Sequence, residues 1–239
     1  MKAFYSYSLS HGLLEDLRND EFPTLLSCWN NDDLIFFSKC TSFGYVWQGQ
    51  AVLHCNDSGA LFVLNPGMLF SLPGKGSLLA RGNNSKGIVI TRMGYEGTFN
   101  IGGPIEKSGR LKYINGATDN VLIHPPICGD PVLNALYFKP VITQTEHYHP
   151  SMRIGIIASG YGKCVTPDEE IELIPGQAFI IPANAKHSFH TSDSPMVVVA
   201  FHPDSQTGPT DGLHPMIQMT LVNGVSASEL EGIKTRVFN

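Results

Sequence analysis

Three observations predict an all-β fold for this chain. Its apolar residues fall in short runs cut by Gly, Pro, Asn and Asp. Gly and Pro are abundant, at 24 and 16 of 239 residues, while charged residues make up only 15%. Helix signals are scarce. The runs Leu34–Phe37, Ala60–Leu64, Gly87–Ile90, Arg153–Ile157 and Val197–Phe201 have strand length and turn residues on both sides, the pattern of a sandwich or barrel. Two segments read as helical. Leu13–Leu17 is expected to form one or two turns capped by Ser10. Ser226–Leu230 carries Ser226 and Glu229 at capping-box spacing and opens a short helix.

An internal repeat divides the chain. Gly44-Tyr45-Val46-Trp47-Gln48-Gly49 resembles Gly155-Ile156-Ile157-Ala158-Ser159-Gly160, 111 residues on. Asn65-Pro66-Gly67 followed by Pro73 parallels Ile174-Pro175-Gly176 followed by Pro182, 109 residues on. Two copies of one β-module fit these offsets, with a small difference in loop length. The polar stretch Glu106-Lys107-Ser108-Gly109-Arg110 is the expected linker. The expected domains are 1–105 and 106–239.

Composition removes some classes. A net charge of −5 and the absence of any Lys/Arg cluster give no footprint for nucleic acid. No apolar stretch approaches the ~20 residues of a membrane span. The five cysteines at 28, 40, 55, 128 and 164 form no Cys-x-x-Cys pair. They read as small buried hydrophobes in a reducing cytoplasm. Gly74-Lys75-Gly76 lacks the rest of a phosphate loop and reads as a β-turn.

The chemistry-bearing residues lie in the second half. In Glu146-His147-Tyr148-His149, strand alternation puts His147 and His149 on one face and Glu146 and Tyr148 on the other. Tyr148 is expected to pack. His187, some forty residues later, can supply a third imidazole, and neutral imidazole suits zinc, iron, copper or nickel. His190, His202 and His214 carry no comparable spacing. His202 marks the exit of its apolar run, and the polar tail from Pro203 onward reads as a surface wrap or the cover of a barrel mouth.

These residues resemble the cupin superfamily, and in particular a bicupin. The first cupin motif reads Gly-x5-His-x-His-x3-4-Glu-x6-Gly, matched here by His147, His149 and Gly160. The second reads Gly-x5-Pro-x-Gly-x2-His-x3-Asn, matched by Gly176, Pro182 and His187. The resemblance covers residues 140–203 well and 34–100 weakly. It implies two jelly-roll-like barrels with a few short helices. The second barrel would hold one divalent metal (Fe, Zn, Ni, Mn or Cu) on His147, His149 and His187.

The chain departs from the motifs at several positions. Val141 replaces the opening Gly, Asn184 the turn Gly and Thr191 the final Asn. Arg153 stands where the family has its glutamate ligand, and a guanidinium cannot ligate a metal. Arg153 either lines the pocket and binds an anionic substrate through its planar fork or turns outward into a surface ion pair. In the first module Phe36 and Ser38, or Phe37 and Lys39, replace the histidine pair, and Leu78 replaces the third histidine. That barrel is therefore expected to hold no metal.

Two function classes follow from the resemblance. One is a metal-dependent enzyme on a small polar or anionic metabolite, either a three-histidine dioxygenase or an isomerase or decarboxylase. The other is a non-catalytic binding or sensor protein. Whether the chain is an enzyme stays open at this point. The partners expected are a small molecule and, for a homodimer, a second copy of the chain.

Overall fold

The computed structural model describes residues 2–233. It is 51% strand and 7% helix. Among the described residues the helices are one α-helical turn, Pro215–Gln218, and four 3-10 turns.

Two sets of sheets divide the chain. Residues 12–102 form an eight-stranded antiparallel sheet whose two longest strands are Cys40–Cys55 and Gly76–Met93. These two pair along almost their whole length, with register shifts near Gln48. Such bulges bend a strand, so one long ribbon contributes to both layers of the module. The second half builds a seven-stranded sheet and a three-stranded sheet. There the corresponding strands are broken in two, Arg153–Gly160 with Gly162–Val165, and Ser188–His190 with Met196–His202. The linker 106–110 runs between the last strand of the first sheet, Asn100–Gly102, and Leu111–Lys112 of the second.

Strand alternation sorts the apolar residues into three cores. One fills the first module and includes Trp29, Phe36, Val46, Phe70, Leu72, Leu78 and Val89. A second fills the second module and includes Phe138, Ile157, Phe179, Ile181, Phe189, Val198 and Ala200. The third joins the halves: Phe43, Tyr45, Ile88 and Ile90 pack with Ile154, Ile156, Ala178, Ile180, Val199 and Phe201. Along Met196–His202 the odd residues Val199 and Phe201 therefore face the other module. The even residues Val198 and Ala200 face their own interior.

The repeat is visible in packing detail. Gly44 pairs with Phe70, and Gly155 with Phe179. A Cβ at Gly44 would lie 2.1 Å from Phe70 Cε1, and one at Gly155 2.6 Å from Phe179 Cζ. Each glycine makes room for a ring. Gly49 and Gly160, at φ of 67° and 74°, turn the chain against a backbone carbonyl that a Cβ would meet at 2.0 and 1.8 Å.

Several expectations need correction. Leu13–Leu17 is part of the strand Gly12–Leu17, paired with Thr24–Asn30. So short a run cannot nucleate a helix alone, and the neighbouring strand supplies its hydrogen bonds. Tyr5–Tyr7 pairs with Ala178–Ile180 in the second half's sheet, and Phe4 fills that half's core. The segment 1–105 is thus not self-contained. Four cysteines are buried, but Cys128 is exposed. Ser226 does cap a turn, the 3-10 segment Ala227–Glu229, by accepting from Ser228 N at 3.2 Å. Gly74 and Lys75 form the bend between the strands Leu69–Pro73 and Gly76–Met93, with Gly74 at φ 76° and Gly76 opening the second strand.

Candidate metal centre

His147 and His187 exchange both backbone hydrogen bonds. His147 N donates to His187 O at 3.0 Å and His187 N donates to His147 O at 2.9 Å. Asn184, at φ 61°, donates its backbone N–H to His149 O at 2.7 Å. Asparagine tolerates this left-handed backbone, so the turn survives without the motif's glycine. Glu146 points outward and pairs with Lys186 at 3.2 Å. Thr191, in the place of the motif's final Asn, accepts from Ile142 N at 3.0 Å and donates to Lys139 O at 2.6 Å. It ties down the chain leading to the histidines.

Backbone ties place the three rings together, with centroids 4.6 to 5.3 Å apart. One ligand atom from each lies within 4.8 Å of the others, so the three can hold a metal ion. Nδ1 of His147 sits 2.9 Å from Thr145 O, and Nδ1 of His187 sits 2.9 Å from Ala185 O. A carbonyl only accepts, so Nδ1 carries the proton and Nε2 keeps its lone pair free for a metal. Burial, then the neighbouring Arg153 and histidines, lowers the His149 pKa to about 3. Burial lowers that of His187 to about 4. Both rings are neutral at pH 7, the form that ligates.

Arg153 lines the same cavity, of about 60 Å³, as do the three histidines. It does not join a surface ion pair. Its Nη1 donates to Ser151 O at 3.0 Å, to Ser151 Oγ at 2.7 Å and to Met152 O at 2.9 Å. Ser151 Oγ in turn donates to Asp204 Oδ1. Burial lowers the Arg153 pKa to about 10, while Asp204 opposes that shift, so the guanidinium stays charged at pH 7.

The first module lacks every counterpart. Phe36 pairs with Gly76 as His147 bridges to His187. The residue in place of His187 is therefore Gly76, not the Leu78 expected from the 109-residue offset, because the connection before it is two residues shorter. A Cβ at Gly76 would lie 2.4 Å from Leu72 Cδ2 and 2.6 Å from His54 O. Of the two alternatives for the pair, this register selects Phe36 and Ser38. Arg153 corresponds to Ser42, whose hydroxyl lies 3.1 Å from that of Thr91.

Sequence reasoning missed several members of the site. His202 continues the inward series Val198 and Ala200 and lines the cavity, its ring 6.4 Å from that of His149. Burial, then Arg153 and His149, puts its pKa well below the ordinary value. The alternation of its strand was the signal that could have found it. Tyr113, Asp119, Asn134 and Gln144 also line the cavity, and no motif marks them. Tyr148 is 60% exposed, so the packing role expected for it does not hold. His190 instead hydrogen-bonds Ser188 Oγ at 2.8 Å. His214 caps Pro215–Gln218 through Nδ1, at 3.2 Å from Met216 N and Ile217 N.

Residues 138–202 match the family model described as "Cupin domain", and this span contains all three histidines, Arg153 and His202. This segment is a cupin domain. No curated protein matches the chain. Among solved structures, a cupin 2 conserved barrel domain protein from Leptotrichia buccalis is similar at 14% identity and TM-score 0.59, over 84% of this chain and 89% of that one. Salicylate 1,2-dioxygenase from Pseudoaminobacter salicylatoxidans, in complex with gentisate, is similar at 11% identity and TM-score 0.56, over 75% and 68%. A Bacillus subtilis oxalate decarboxylase with Mn(II) centres is similar at 10% identity and TM-score 0.53, over 98% and 87%. At these identities the likeness is one of fold, which the cupin domain shares with all three. No helix among the described residues is long and apolar enough to cross a membrane.

Proposed function

We propose that this protein is a bicupin enzyme. Its first barrel, within 1–105, has lost the metal site. Its second, within 106–239, holds one divalent transition metal on His147, His149 and His187 and acts on a small anionic metabolite. The observation that carries this reading is the convergence of three imidazoles, two of them with Nδ1 turned to a carbonyl, in a cavity walled by a charged arginine. The donor set fits the group. Three nitrogens leave open positions, as catalytic sites require; the motif's glutamate position is held by Arg153, and His202, though it lines the cavity, is not one of the three whose ligand atoms converge. When bound, the metal would supply Lewis-acid polarisation or, if redox-active, access to dioxygen.

The chain's own residues set the rest. Thr145 O and Ala185 O fix the two imidazole orientations. Arg153, held through Ser151 beside Asp204, offers a fixed positive charge to a carboxylate. A cation beside a dication is repulsive, and an anionic substrate relieves that repulsion. The cavity is far smaller than the ~300 Å³ at which ordinary ligand pockets begin, which favours a short substrate over an aromatic one such as gentisate. Among the two reaction types, this size favours the acid chemistry named for the oxalate decarboxylase over ring oxygenation.

Metal analysis of protein purified without chelator, followed by screening of short acids for turnover and oxygen uptake, tests the reading. One metal per chain, and loss of most of it in His149→Ala, is the expected result. Unchanged metal content in that variant overturns the site. A redox-silent metal with no turnover would instead make the protein a binding or sensor cupin. Sizing the same preparation tests for the homodimer.

A further inference from the structure

The cavity wall carries more polar groups than a three-histidine centre uses. Asp119 Oδ1, Asn134 Oδ1, Gln144 Nε2 and Arg153 Nε are buried without a hydrogen-bond partner, and all four residues line the cavity. Buried polar atoms are nearly always paired, so four unpaired ones around one small cavity point to a ligand that pairs them.

Their chemistry is of two kinds, and each is fixed in orientation. Asn134 Nδ2 donates to Asp119 Oδ2 at 2.6 Å, which leaves one acceptor oxygen free on each residue. Gln144 Oε1 accepts from Phe189 N at 3.0 Å, which leaves its NH2 as the free end. Arg153 uses Nη1 on Ser151 and Met152 and keeps Nε unused. The residues of the wall thus leave two donors unpaired, one of them cationic, and two acceptors, one of them from a carboxyl group.

We propose that the cavity binds a short 2-hydroxy carboxylic acid, its carboxylate facing Arg153 and Gln144 and its single hydroxyl proton shared between Asp119 Oδ1 and Asn134 Oδ1. This deepens the function proposed above and rests on it. A dicarboxylate such as oxalate satisfies the donors but sets its second carboxylate against two acceptors. A 2-amino acid satisfies both kinds of group, but its ammonium would share a small cavity with a guanidinium and a metal ion, and like charges repel there. A hydroxyl offers the two acceptors a shared proton without bringing a charge. The cavity of about 60 Å³ sets the length at a few non-hydrogen atoms.

Calorimetric titration with glycolate, acetate and oxalate, on chelator-free protein of measured metal content, tests this. Glycolate should bind at least tenfold more tightly than acetate, the value of one hydrogen bond to a charged acceptor, and more tightly than oxalate. Asp119→Ala and Asn134→Ala should bring the glycolate-to-acetate ratio within threefold at unchanged metal content. Asp119→Asn, which keeps the shape of the side chain, should lower it at least threefold if the alanine variant does not fold. Arg153→Lys should weaken both monocarboxylates and leave their ratio standing. A ratio near one in the native protein, or a ratio unchanged in the Asp119 variants as metal chelation alone would give, overturns the proposal. Absence of metal from the native protein defeats the functional reading itself, whereas one metal per chain with equal binding of the two acids defeats only the hydroxy-acid assignment.

Discussion

Gly76 lies opposite Phe36 in the first module as His187 lies opposite His147 in the second. The same strand register thus carries a pair of candidate metal ligands in one half and an apolar plug in the other. Phe36 packs on Phe70 at 5.9 Å between centroids, and a Cβ at Gly76 would lie 2.6 Å from His54 O.

Restoring a histidine there should therefore fail. Gly76→His puts a side chain against backbone that cannot yield, and overpacking of this kind costs about 1–3 kcal/mol or more. The variant should melt several degrees lower and gain no second metal. The native protein soaked in excess zinc should show one interior ion per chain. An ion coordinated inside the first module would contradict this.

Val141 offers the opposite experiment. It stands where the cupin motif opens with Gly, at φ 64°, and is 81% exposed. A β-branched residue in left-handed backbone is strained, and at this exposure it gains little from packing. Val141→Gly should stabilise the protein by about 1 kcal/mol, the cost of the left-handed region less the entropy that glycine adds to the unfolded chain. That corresponds to a Tm rise of about 2–4 °C for a domain of this size. A lower Tm would show that the strain is relieved elsewhere.

The sequence made some of this legible and hid the rest for definite reasons. Strand runs such as Ala60–Leu64 and the triad His147, His149 and His187 follow from period two and motif spacing, which are local. Leu13–Leu17 misled because its hydrogen bonds come from Thr24–Asn30, a tertiary partner that local propensity does not register. Asp204 was out of reach because it acts through Ser151 on Arg153, across fifty residues of chain. His202 was within reach, since the inward series Val198 and Ala200 runs straight to it. The counterpart of His187 was misassigned because a two-residue difference in loop length cannot be placed without the strand register.

Acid should destabilise the metal-free protein in a defined window. Burial holds the His149 and His187 pKa values at about 3 and 4, below the ~6.5 of an unfolded chain. The unfolded state therefore binds protons first as pH falls. The stability tied to these rings is fully present above about pH 6.5 and is lost progressively toward their folded values. Between pH 7.5 and 5.5 each should contribute a loss of about 1 kcal/mol. Chelator-treated native protein should show Tm falling across that range, and His149→Gln should show a shallower fall. Equal slopes would remove the histidines as the cause.

Arg153 and Asp204 test the electrostatics of the centre. The Arg153 guanidinium is held beside three imidazoles by Ser151, and Asp204 is the acidic group that favours its charge. Asp204→Asn removes that compensation without changing shape, so Arg153 should become harder to keep protonated. The protein should lose about 1–2 kcal/mol, since the pair is bridged rather than direct and Asp204 is only partly buried. Arg153→Glu acts the other way at the metal. It restores a carboxylate at the motif's ligand position and replaces a repulsive charge with an attractive one. Metal retention against a competing chelator should rise at least tenfold, while binding of acetate, which depends on the cation, should disappear. Tm should fall in the same variant, because Asp204 and the new carboxylate then face each other through Ser151. A variant that loses metal as readily as the native protein would show that position 153 does not feel the ion.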